Sequence, residues 1–303
     1  MELLDFEELG AAIRRVYVES DKYQLSKDVP TFEMNGKYVG DFFNFTMFEP
    51  DGDNPPIFYH IYSPYDIISG KSTQQAVVLR SGELIMSTDF TQYMKQRTGV
   101  MTSLILKGLN VSDLSKKAVV FVGVGNIAQS DLAALKSHYP DLKKVSYISR
   151  SGKAEAFVKL ALDSGVEAHP SNLEHIGEFD ILIFHTNSKV PVLTSAMRGS
   201  IKAGAIITTF SSEDSTEVAS EFFDTKLANV LIDWEQTIDE APELKSATEN
   251  GLAKRSDVIT LGELFTMDTI DESKQYTVYR SHGTPMQNLA AMQILLNRRP
   301  TAR

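Results

Sequence analysis

The stretch that most constrains this chain is Ala118-Val119-Val120-Phe121-Val122, an apolar run that passes directly into Gly123-Val124-Gly125-Asn126-Ile127-Ala128. A run this short and this apolar, closed by glycine, predicts a strand buried on both faces. Ala128, Leu132 and Leu135 then recur at helical spacing, so the strand feeds a helix through a turn of small residues. Gly123 permits the tight turn, Gly125 lets backbone amides approach an anion, and the small Ala128 lets helix and strand pack closely. The start of the helix, at Asn126 and Ile127, adds N–H groups and positive dipole. The anion expected there is the diphosphate of a dinucleotide.

The same texture continues downstream. Short apolar runs at 118–122, 145–148, 166–168, 181–184, 205–209 and 230–232 alternate with helical segments, which predicts βα units around a parallel sheet. Six strands are the number a doubly wound Rossmann domain requires. Residues 1–112 read differently. A helix is expected over 6–18, strands over 38–39, 42–48, 57–62 and 75–79, turn clusters over 49–56 and 80–82, and a helix over 97–109. That order predicts an antiparallel sheet. A further strand is expected at 276–279 and a helix at 285–296. The expected fold is therefore α/β, with a Rossmann doubly wound parallel sheet over 113–283. A second, α+β domain for substrate binding and dimerisation covers 1–112, and 284–303 return to it.

Composition narrows the partners. A formal charge of −10, a pI near 5.2 and no run of clustered Lys or Arg argue against nucleic acid. With no cysteine there is no disulfide, thiolate nucleophile or Cys-ligated zinc, and no metal site is expected. The acidic start, Met1 to Glu8, is unlike a secretory signal, and no apolar run approaches the ~20 residues of a membrane helix. A soluble cytoplasmic protein without membrane partners is the expectation.

The end of the second strand usually sets the choice between the two nicotinamide cofactors, with an acidic residue binding the ribose 2′-hydroxyl in NAD enzymes. Here it reads Tyr147-Ile148-Ser149-Arg150-Ser151-Gly152-Lys153, without a carboxylate. Arg150 can stack on adenine and pair with a 2′-phosphate, while Ser149, Ser151 and Lys153 add donors. NADP(H) is expected over NAD(H).

Four segments carry a resemblance. They are Ser81 to Thr91 with Gln96-Arg97-Thr98-Gly99; Asp180 to Ser188 with Pro191-Val192 and Lys202 to Ala205; Leu231-Ile232-Asp233; and Arg280 to Thr284 with Asn288 to Ala291. Over about residues 75–295 the chain resembles the ornithine cyclodeaminase/mu-crystallin family, which includes cyclodeaminases, alanine dehydrogenases and NADPH-dependent ketimine reductases. The resemblance implies that Arg97 and Thr98 serve the cofactor diphosphate and substrate carboxylate at a domain junction. It makes Asp233 the proton-relay carboxylate, places Thr186 and Ser188 at the cofactor, and offers His282 to the nicotinamide. It also implies a homodimer formed through the first domain, to which the aromatic-rich strands could contribute.

Departures bear on the substrate. Where the family carries an Arg this chain offers Ser26 or Lys27, followed by Phe42-Phe43-Asn44-Phe45. Where it carries a strand Lys, the candidates are His60 and Lys37, and a carboxyl-terminal Asp becomes Asn288. His60 reads equally as a catalytic group or a half-buried sheet histidine. These losses suggest a bulkier or less charged ligand among imines, keto acids and amino acids. The leading expectation is an NADP-dependent enzyme reducing a C=N bond, in a cyclic ketimine or an α-imino acid, or an amino-acid dehydrogenase of that kind. The alternatives are an NAD-dependent ornithine cyclodeaminase that releases ammonia, and a non-catalytic NADPH-binding protein.

Overall fold

The computed structural model describes residues 3–28, 31–34, 37–41, 43–51, 54–63, 65–66, 71–72, 74–210 and 215–298, with side chains described over 3–26, 46–50, 55–62, 74–210 and 215–298. Backbone contacts divide the chain into Met1–Arg97 with Thr284–Arg303, and Thr98–Gly283.

In the Thr98–Gly283 unit the strands form one sheet in the order Glu167–Pro170, Lys144–Ile148, Val119–Val122, Ile181–Phe184, Ala205–Thr209, Tyr276–Arg280, Ala228–Ile232, Val258–Thr260. Every pairing is parallel. Val119–Val122, Ile181–Phe184, Ala228–Ile232 and Tyr276–Arg280 are buried at each position, because helices and turns cover both faces. Alternation along each strand divides the apolar side chains between two cores. Val119, Phe121, Ile181 and Ile183 join Leu132, Leu135 and Phe157 on one side. Val120, Val122, Leu182 and Phe184 join Phe222, Phe223 and Leu244 on the other. The strand order reverses between Val119–Val122 and Ile181–Phe184, and the crevice at the carboxyl ends of such a pair is where ligands bind.

Two features correct the expectation of six strands. Tyr276–Arg280 takes an interior place, between Ala205–Thr209 and Ala228–Ile232. Val258–Thr260 adds an edge strand, which has only three residues before Thr260 caps the next helix through a capping box with Glu263. A segment that short carries no readable period.

In the other unit, an antiparallel sheet runs Gln24–Asp28, Phe43–Asp51, Asn54–Ser63, Gln75–Arg80, Glu83–Asp89. Ile57, Tyr59 and Ile61 are buried while Phe58 between them is 40% exposed, the alternation of a sheet with one covered face. Glu83–Asp89 was not anticipated as a strand. It is joined by Ser81 and Gly82, both at positive φ, the backbone of a tight hairpin. Lys37–Asp41, expected within the main sheet, pairs among the described residues only with Thr31–Met34.

Helix Phe6–Val18 is capped by the Asp5 side chain, which accepts the Glu8 N–H at 3.0 Å, and it packs on helix Pro285–Asn297. The helix expected over 97–109 begins earlier, at Thr91, where the Asp89 carboxylate accepts the first N–H at 2.9 Å. It is interrupted at Val100 and resumes as Met101–Gly108.

Candidate functional site

Strand Val119–Val122 ends at Gly123, whose φ is +89°. A Cβ there would collide with the His185 carbonyl oxygen and lie 2.8 Å from its carbon, so only glycine fits. Gly125 caps helix Asn126–His138 with no side-chain acceptor on the free amides, and a Cβ on it would meet nothing within 4 Å. Ala128 is fully buried in the first turn. Asn126 and Ile127 therefore start a helix whose N–H groups are open to an anion, as a diphosphate requires.

A cavity of about 770 Å³ opens here, a volume typical of cofactor sites. Gly123 and Gly125 form its floor, and Ser149, Arg150 and Ser151 line one side with Lys153. Thr186, Asn187 and Ser188 line another. Arg150 and Lys153 are exposed at the end of the second strand, and among the described residues the only lining carboxylate is Glu174. Sequence reading missed Glu174, which follows the third strand and enters the cavity on the Leu173–Glu178 turn capped by Asn172. A tight turn at Gly123, open space at Gly125, an uncapped helix and two cations suit a nicotinamide dinucleotide.

The Thr186 to Ser188 wall is anchored from behind. Thr186 N–H donates to the Glu217 carboxylate, and Phe210 N–H donates to its other oxygen at 2.8 Å. Burial pushes the Glu217 carboxyl above its ordinary range, against the pull of those amides and of nearby His185. Ser188 Oγ donates to the Val190 carbonyl at 2.7 Å.

Asp233 follows strand Ala228–Ile232 and is 1% exposed. Its Oδ1 accepts the Tyr279 hydroxyl. Its Oδ2 accepts the Ser281 hydroxyl at 2.9 Å, His282 N–H at 2.9 Å and Gly283 N–H at 3.0 Å. Asp233 thus closes the turn that carries His282, whose ring Nε2 lies 3.5 Å from Glu240 Oε2. Asp233, His282 and Thr98 are not among the residues lining the 770 Å³ cavity.

Arg97 belongs to the antiparallel unit and is 7% exposed. Its Nη1 donates to Gln287 Oε1 at 2.7 Å, and its Nε faces Met94 Sδ at 3.0 Å. Gln287 in turn donates to Tyr17 Oη at 3.1 Å, which lies 2.9 Å from Thr284 Oγ1. Asn288 is fully buried, and neither atom of its amide finds a hydrogen-bond partner among the described residues, a state that calls for a ligand or water. No group of three or more His, Asp or Glu among the described residues is arranged to hold a metal. No helix among them is long and apolar enough to cross a membrane.

A model of the ornithine cyclodeaminase/mu-crystallin family matches residues 62–301. The chain belongs to that family. It is 23% identical to an alanine dehydrogenase of Archaeoglobus fulgidus over 210 residues, which are 68% of this chain and 64% of that protein, so the match spans less than two thirds of the relative. Its fold resembles that of Thermococcus litoralis Δ1-pyrroline-2-carboxylate reductase in complex with NADH and L-proline, at 17% identity and a TM-score of 0.81 over 98% of this chain and 94% of that one. It also resembles iminosuccinate reductase of Paracoccus denitrificans in complex with NAD+, at 16% identity and a TM-score of 0.83 over 97% and 92%.

The residues expected to stand in for the cations of the ornithine cyclodeaminase/mu-crystallin family lie in the antiparallel unit. Ser26 is exposed. His60 lies on the open face of the sheet beside Phe58, its Nδ1 3.1 Å from Thr46 Oγ1, and partial burial lowers its pKa. Phe42 lies outside the described residues, as do the side chains of Lys27, Lys37, Phe43, Asn44 and Phe45.

Proposed function

We propose that this family member reduces a C=N bond, in a cyclic ketimine or an α-imino acid, with NADPH as the preferred donor. The observation that carries the reading is the cavity itself: an uncapped helix start for the diphosphate, with Arg150 and Lys153 where a 2′-phosphate would lie. Two of the folds it resembles belong to reductases of imino acids, solved with NADH and NAD+. The charge at residues 149–153 argues for the phosphorylated cofactor here, because a guanidinium and an ammonium favour a dianion that a carboxylate would repel.

A bound reduced cofactor supplies a hydride to the imine carbon, and a proton on nitrogen completes the amine. The residues of this chain do the rest. Arg97, oriented by Gln287 and Met94, binds an anionic group of the substrate through its planar fork. Asp233, held by Tyr279, Ser281 and two backbone amides, stabilises the positive charge that develops on the protonated nitrogen and relays its proton.

We also assign a homodimer to this chain. Phe48, Phe58, Leu79 and Leu84 form a row across four strands on the open sheet face, with Phe58 40% and Leu84 61% exposed. Phe48 and Phe58 stack edge to face at 5.2 Å. A second copy covering this row removes apolar surface from water.

The test is a panel of cyclic ketimines, and of keto acids mixed with amines, in which oxidation of NADPH is followed by its absorbance. Turnover of a panel member supports the reading. Tight NADPH binding without turnover of any member would replace it with a cofactor-binding protein. Ammonia release from ornithine with no net change at the nicotinamide band would replace it with a cyclodeaminase.

A further inference from the structure

Behind the cofactor cavity lies a buried cluster that the hydride and proton steps leave unused. Asp131 sits on the helix that begins after Gly125 and is fully buried. Its Oδ2 accepts the Thr102 hydroxyl at 2.6 Å and lies 2.8 Å from His185 Nε2. His185 directly follows strand Ile181–Phe184. Its side chain is 3% exposed, and its ring stacks on Phe210 with centroids 4.6 Å apart and planes at 24°. His185 Nδ1 and Asp131 Oδ1 have no hydrogen-bond partner among the described residues. The bond to Asp131 is therefore the ring's single polar tie within the described structure.

Stability is a poor explanation for such a pair. Removing a carboxylate and an imidazole from water costs as much as their attraction returns unless the remaining polar atoms are also satisfied, and among the described residues two of them are not. What the pair achieves is placement. Asp131 rides on the helix whose start receives the diphosphate, and the carbonyl of His185 packs directly against Gly123. The three residues after His185 are the Thr186, Asn187 and Ser188 wall. In a doubly wound sheet the adenosine half lies over the first three strands and the nicotinamide half over the strands beyond the reversal. Here the second half begins at Ile181–Phe184, which delivers that wall.

We infer that His185 and Asp131 are positioning residues that lock the nicotinamide-side wall to the diphosphate-binding helix, so that the two halves of the dinucleotide are held in fixed register. The inference rests on the dinucleotide reading above. It predicts a selective defect: a chain without the tie should still bind the adenosine half and should lose affinity for the whole cofactor.

The experiment titrates the full chain with NADPH and, separately, with 2′-phospho-ADP-ribose, which lacks the nicotinamide. His185→Leu keeps the bulk of the ring and removes its donor. It should weaken NADPH binding about tenfold, the loss expected for one hydrogen bond to a charged group. Affinity for 2′-phospho-ADP-ribose should stay within about twofold. His185→Gln, which can still donate to Asp131, should recover most of the lost affinity. If His185→Leu fails to fold, Asp131→Ala replaces it with the same expectation. Equal loss for both ligands, or no loss of NADPH affinity, overturns the inference while the dinucleotide reading stands. Wild-type protein that binds neither ligand overturns both.

Discussion

Gly125→Ala separates ligand space from folding more cleanly than any other change in the dinucleotide turn. Gly125 has φ −70° and ψ −169°, a backbone that alanine adopts without strain, and the added Cβ meets no protein atom within 4 Å. Reduced freedom in the unfolded chain favours the variant by about 0.4–1 kcal/mol. Replacing glycine at a helix N-cap by alanine opposes this by roughly 0.5–1 kcal/mol. The net change in stability is within about 1 kcal/mol, a shift of no more than about 4 °C in melting midpoint.

Binding should respond quite differently. A charge-assisted N–H···O bond brings phosphate oxygen to about 2.7–2.9 Å from nitrogen, whereas a methyl group holds neighbouring atoms at about 3.5–4.0 Å. A diphosphate displaced by that difference loses one or two bonds of about 1.5–3 kcal/mol each, so affinity for NADPH should fall by about tenfold or more. Thermal unfolding and a fluorescence titration, run on the same preparation, read both quantities. Gly123→Ala is the contrast, since collision with His185 should lower stability and binding together. Wild-type NADPH affinity in Gly125→Ala would show that no diphosphate approaches this turn, and the functional reading would fall with it.

Three further changes probe other parts of the molecule. Arg150→Ala should cost NADPH about tenfold in affinity and NADH less than about threefold; an unchanged ratio in parallel titrations refutes the assignment of Arg150 to the 2′-phosphate. Phe58→Glu combined with Leu84→Glu places charge on the open sheet face, and light scattering should then report a monomer, whereas a surviving dimer would move the interface elsewhere. Glu243 pairs with Arg280 where both side chains are no more than 1% exposed. Glu243→Gln removes the carboxylate from a buried guanidinium and should destabilise by about 3–5 kcal/mol in chemical denaturation, and a loss below about 1 kcal/mol would show that the guanidinium does not depend on this carboxylate.

Legibility followed the range of the interaction. The run at 181–184 was readable to the residue because a strand covered on both faces is apolar throughout, and 205–209 opens on Ala205-Ile206-Ile207 before two buried threonines. Helix Phe6–Val18 announced itself by Leu9, Ala12, Ile13 and Val16 on one face. The break at Val100 and the strand Glu83–Asp89 escaped, since the latter lies on a sheet edge and only Met86 of its seven residues is buried. At the site, Ser149, Arg150 and Ser151 could be found by offset from the glycine turn. Glu174 and Gln287 could not, because neither belongs to a local pattern.

What the amino-acid sequence alone determined is the parallel sheet, the glycine turn and the cationic end of the second strand. Each of these follows from side-chain period and backbone freedom within a few neighbouring residues. Only the tertiary structure decided that Tyr276–Arg280 enters the middle of the sheet and that Asp131 meets His185 across 54 positions. The physical reason is that strand order and buried polar pairing are settled by the packing of the whole core, where a short hydrogen bond leaves no trace in the spacing of either partner along the chain.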